Sequence, residues 1–140
     1  MKKLYMSILL VGMLTLITGC TSNGNEEIQM VSVDKVETIY IDHGSTNVYV
    51  DSIEAEELET SFISYDNRPR VKLNQRDHEI KISLSSDIWR MFNLGRMPEL
   101  IVRIPQGYTG EIVVHGSSGQ VHMLDVDASD IEVNGKSSRI

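Results

Sequence analysis

A single cysteine, Cys20, in a chain of 140 residues leaves no second thiol for an internal disulfide. No Gly-x-Ser-x-Gly elbow and no Gly-rich phosphate loop occurs, so neither an esterase-type nucleophile nor a nucleotide cradle is written in the chain. Zinc sites take three or four ligands in recognisable sets. The four histidines, His43, His78, His115 and His122, form no such set. Two of them stand in similar corners, His43-Gly44-Ser45 and His115-Gly116-Ser117, and are expected to be exposed corner residues. The stretch Asp125 to Asp130 opens like a calcium loop. It lacks the turn glycine and has Lys136 where the twelfth-position glutamate belongs, so solvated carboxylates are expected instead. The chain therefore reads as a protein that is not an enzyme, with no catalytic residue, no metal and no cofactor.

Uninterrupted apolar sequence is also short. Met1, Lys2 and Lys3 precede a mostly apolar run from Leu4 to Ile17, too brief to span a bilayer as a helix of roughly 20 residues. A basic start, a short apolar stretch and small residues before a break make the three-part pattern of a secretory signal peptide. Ile17-Thr18-Gly19-Cys20 resembles the lipobox of bacterial lipoproteins, which implies a signal peptide over residues 1–19 and lipidation of Cys20 as the new N-terminus. Lipid there would also account for the lone cysteine of an exported chain.

Removing the first 19 residues takes away two of the 13 basic residues and none of the 20 acidic ones, leaving 11 against 20 and a net charge of −9. A domain so charged is repelled by nucleic acid and by anionic head groups, so the membrane attachment is expected to be covalent. Residues 20–30 are small and polar and read as lipid anchor and flexible tether. Residues 31–140 remain for one β domain.

Helical spacing is scarce in that domain and alternation is common. Ile39 and Ile41, then Val48 and Val50, read as two strands flanking a Gly-Ser corner; Leu58, Thr60 and Phe62 share a face, as do Val71 and Leu73, Ile80, Ile82 and Leu84, and Leu100, Val102 and Ile104 before Pro105. The last 30 residues repeat. "IVVHGSSGQV" (112–121) aligns with "IEVNGKSSRI" (131–140) at a separation of 19, and the small and apolar positions Ile112, Val114, Val121, Met123, Val126, Ala128, Ile131, Val133 and Ile140 are spaced by twos, threes and sevens, with Val114, Val121, Met123, Val126, Ile131 and Val133 expected to point inward. Twos keep side chains on one side of a strand, and threes turn the chain without reversing that side. Such a pattern writes a β-solenoid coil. A plain antiparallel β-sandwich with two similar hairpins is the alternative, and Leu124 fits neither register.

The run from Leu100 to Val133 resembles the putative-adhesin family of bacterial envelope proteins, a domain class of unknown function. The likeness lies in Ile104-Pro105 closing a strand, the following Gly-containing turn, and the step Ser117-Ser118-Gly119-Gln120-Val121, with Gln120 in place of the usual acid. A second step, Ser137-Ser138-Arg139-Ile140, has lost its glycine. The resemblance implies an all-β, β-solenoid-like stack of short strands and a non-catalytic domain for surface or protein interaction. It also implies location outside the cytoplasm on the membrane of a Gram-positive cell. A sensory or accessory lipoprotein of an envelope-stress system is the other reading. Because Ile140 aligns with Val121, the chain is expected to be truncated at its C-terminal end, or covered there by self-association.

Ser85 to Leu100 breaks the alternation and holds the only tryptophan. A short helix is expected near 86–94, either as a cap over the open end of the stack or as a projecting partner contact formed by Trp89, Arg90, Phe92 and Arg96.

Overall fold

The computed structural model describes residues 25–64, 71–85 and 98–135, and these form strands and turns with no helix among them. The ten strands are β1 (Asn25–Ser32), β2 (Thr38–Gly44), β3 (Asn47–Ile53), β4 (Glu57–Ser64), β5 (Val71–Arg76), β6 (Glu79–Leu84), β7 (Glu99–Pro105), β8 (Glu111–Gly116), β9 (Val121–Leu124) and β10 (Asp130–Gly135). They make two five-stranded sheets, the first in the order β1-β4-β7-β3-β9 and the second in the order β10-β8-β2-β6-β5.

The middle of each sheet is parallel. β3 lies between β7 and β9, and β2 between β6 and β8, with β10 parallel to β8 beyond. Hairpins reverse direction and cannot produce this, so the antiparallel sandwich is excluded for the centre of the stack. The chain crosses from the second sheet to the first between β2 and β3, between β6 and β7 and between β8 and β9, always at the same end. We call this the corner end. Each pair is one coil of a β-solenoid-like stack, and β10 begins another. The coil made first, β2–β3, lies in the middle of the stack, with β6–β7 on one side and β8–β9 on the other.

The 19-residue repeat is a real register. Ile131 lies beside Ile112, Val133 beside Val114 and Gly135 beside Gly116. The matching position of Ile140 lies outside the described residues. Alternation places Ile39, Ile41, Ile80, Ile82, Ile112 and Val114 on the inner side of the second sheet, opposite Val48, Val50, Leu100, Val102 and Val121 on the first. All are 3% exposed or less. Burying such a side chain contributes about 1.5–3 kcal/mol, so these layers hold the sheets together. Met123, Val126 and Val133 pack against this core only in part. Ile131, expected inside, is 40% exposed because β10 is an edge strand of its sheet among the described residues. Leu124, 63% exposed, is the outward residue that follows inward Met123.

Residues 25–30, which composition assigns to the tether, are instead most of β1, paired antiparallel with β4 from Asn25 beside Ser64 to Ser32 beside Glu57. Its polarity pattern is inverted. Ile28 and Met30 point outward and are 52% and 59% exposed, while Glu27 and Gln29 point inward. The reason is their position at the end of the stack. The Glu27 carboxylate accepts from the Val71 N–H at 3.3 Å, and the Gln29 amide donates to the Val71 carbonyl at 3.0 Å and to Glu27 at 2.7 Å. A strand that faces the open backbone edge of β5 needs polar side chains, because an uncovered edge is a template for pairing with another chain. Gln75 completes the link by donating from β5 to the Ser32 carbonyl at 3.1 Å.

Candidate functional site at the stacked corners

The chemistry-bearing residues that the sequence singles out meet at the corner end, where β2 turns into β3 and β8 turns towards β9. Asp42 lies beside His115 and Gly44 beside Gly116, so β2 carries one extra residue here, a bulge whose extra residue is His43. His43 keeps the alternation of Ile39 and Ile41 and points inward. His43 is 3% exposed, whereas His115 faces solvent, which corrects the expectation of two exposed corner histidines. Spacing separates them, since His43 stands two residues after inward Ile41 and His115 one residue after inward Val114, although both triplets read His-Gly-Ser.

His43 Nδ1 lies 2.6 Å from the Thr46 carbonyl oxygen and donates its proton to it. Nε2 then carries the lone pair and lies over the backbone of Gly116, where a β-carbon would stand 2.1 Å away. Glycine is required at that position by close approach. Burial lowers the His43 pKa below its ordinary 6.5; the Thr46 carbonyl and the Asp42 carboxylate work the other way, and His115 adds to the lowering. The imidazole is neutral at pH 7.

The corners are joined by a short ladder. Ser117 donates from its N–H to the Gly44 carbonyl at 2.7 Å and from its hydroxyl to the same oxygen at 3.1 Å; Ser45 and Ser117 share a hydroxyl bond of 2.9 Å. Asn47 accepts the Gln120 N–H at 3.0 Å, and the Val48 N–H donates to the Gln120 carbonyl at 2.9 Å. Gly119, at φ +100°, takes a conformation that side chains rarely adopt, and a β-carbon there would meet the Thr46 oxygen at 2.6 Å. The Ser-Ser-Gly step is thus the piece that lets one corner lie on the next. Beside it, on the outer side of the first sheet, Tyr49 and His122 stack with ring centres 4.9 Å apart. A shallow depression of about 430 Å³ lies against His115, Gly116, Ser117, Asn134 and Gly135.

The serine hydroxyls at these corners bond backbone oxygen and each other, and the only buried imidazole bonds a carbonyl, so the arrangement couples coils and has no nucleophile with its base. Among the described residues no three His, Cys, Asp or Glu side chains come close enough to hold a metal ion. Asp125, in the loop with the partial calcium pattern, adopts φ 50° in the turn after β9. At the opposite end Tyr108, 4% exposed, places its hydroxyl 3.0 Å from both the Glu37 and Glu111 carbonyl oxygens. Its pKa is pushed up to about 12 by burial and by the Glu111 carboxylate. Cys20, Trp89, Arg90, Phe92 and Arg96, and the expected helix near 86–94, lie outside the described residues. Among the described residues the end of the stack is covered by β1, β4 and β5, which sequence reading did not foresee.

Two sheets of coils stacked corner upon corner define a β-solenoid-like domain. Residues 36–140 match the family described as Toastrack DUF4097, and the chain belongs to that family. Among curated proteins none matches. The fold is similar to that of a "putative cell adhesion protein" from Clostridium sporogenes, at a TM-score of 0.59 and 18% identity over 80% of this chain. The chain spans 58% of that protein's length. A "putative adhesin" from Parabacteroides distasonis aligns at a TM-score of 0.45 and 13% identity, over 83% of this chain and 56% of the other.

Proposed function

We propose that this protein is a lipoprotein, acylated on Cys20 and held outside the cytoplasm on the cell membrane, whose adhesin-like domain works by contact with an envelope or surface protein and not by catalysis. The observation that carries the reading is the placement of the only cysteine. It follows a basic and apolar leader and the sequence Ile17-Thr18-Gly19, and stands five positions before the first strand of the domain at Asn25. A covalent anchor of two acyl chains is sufficient for stable attachment. The test is mass measurement of the protein from membranes, together with detergent-phase partitioning of wild type and Cys20→Ser. The expected result is acylation of wild type and transfer of the variant to the aqueous phase. Unchanged partitioning removes the reading. Crosslinking in intact cells then identifies the partner.

A further inference from the structure

The anchor and the fold together set an orientation. β1 enters the domain at the corner end, because Asn25 lies beside Ser64 and Ile63 lies beside Glu99, the start of β7. Asn25 stands five positions after Cys20, and an extended chain covers at most about 3.6 Å per residue, so the lipid lies within roughly 18 Å of this entry point. The strands run about 23 Å from there to the other end at 3.3 Å per residue.

Charge is divided along the same axis. The turns and strand ends at the far end, 33–37, 54–57, 76–79, 106–111 and 125–130, hold 11 acidic residues against Lys35 and Arg76, a net of −9. That equals the net charge of the whole chain after Gly19, so the remainder sums to zero. At the corner end the described residues include Glu26, Asp42 and Glu99. The repulsion read from total charge therefore belongs to one end. Screening acts over about 8–10 Å, so the far carboxylates are hidden from an anionic surface when they point away and meet it when they point towards it.

We propose that the corner end of the stack faces an anionic lipid bilayer and that the acidic end is presented outward. This rests on acylation of Cys20. The competing pose lays the domain on the outer side of the first sheet, on Ile28 and Met30, with both ends equally near the lipid.

The experiment uses the full-length acylated protein in vesicles of mixed phosphatidylglycerol and phosphatidylcholine that carry an acceptor dye on a minority of head groups. Lipid blocks Cys20, so a single introduced cysteine takes the donor dye, at Ser118→Cys in the corner or Gln106→Cys at the far end. Both side chains are exposed. Energy transfer from position 118 is expected to exceed that from position 106 several-fold. Equal transfer, or more from 106, in protein whose mass shows acylation overturns the orientation alone. Absence of acylation in the same mass measurement overturns the anchor and the orientation with it.

Discussion

The His43 imidazole lies over the backbone of Gly116 on the neighbouring coil, so near that a methyl group on Gly116 would overlap it. Gly116→Ala must displace a buried ring that is also hydrogen-bonded to Thr46. Overpacking of this kind costs about 1–3 kcal/mol. The loss is expected to shrink when His43→Ala is added, because the smaller side chain vacates the space. Urea denaturation of the two single variants and the double variant measures the coupling, and strictly additive losses would show that the two residues do not clash.

The same histidine makes stability depend on pH. Its folded-state pKa lies below the ordinary 6.5, so the folded protein disfavours the charged form. This contribution is complete above about pH 6.5 and is lost as pH falls through that value towards the lower folded pKa. Wild type is expected to lose more stability between pH 7.5 and 5.5 than His43→Gln, which has no proton to take up there. Parallel curves for the two proteins would exclude the buried neutral imidazole as the cause.

Thr46 is fully buried and its hydroxyl has no partner among the described residues. An unsatisfied buried hydroxyl costs about 1–3 kcal/mol, and valine has nearly the same shape without it. Thr46→Val is therefore expected to raise the midpoint of thermal unfolding. A lower midpoint would indicate that the hydroxyl holds a water.

At the other face of the stack, Glu27 and Gln29 hold the β5 edge through both backbone groups of Val71. Replacing both by alanine leaves that edge unmet. A loss of about 1–3 kcal/mol is expected, with a rise in association on light scattering at high concentration. Changing exposed Ile28 and Met30 to serine should leave the edge covered and the protein monodisperse.

Register is tested by truncation. Val114→Ala and Val121→Ala remove methyl groups from positions 0% and 3% exposed and are expected to cost about 1–4 kcal/mol. Ile131→Ala, on the same side but at the edge, should cost less, and Glu132→Ala very little. Equal losses at Val114 and Glu132 in denaturant titrations would contradict the inward side seen here.

Local sequence was enough to decide that this is a β protein, and which side of most strands faces in. Residues two apart on a strand share a side whatever the neighbour is, so Ile39 with Ile41 and Leu100 with Val102 could be assigned without knowing their partners. The 19-residue coil was also legible, because the two segments repeat their own pattern. Only the tertiary structure decided the order of coils, the approach of His43 to Gly116 and the strand at residues 25–32. Period two says nothing about which strand lies alongside. The β2–β3 coil is central because later segments pair on both its edges, and one extra residue in β2 against β8 sets the inward His43 ring over Gly116 of the next coil. Asn25 to Gln29 looked like a spacer because a strand that covers a backbone edge places its polar side chains inward, the reverse of the pattern that a hydrophobic core writes into a sequence.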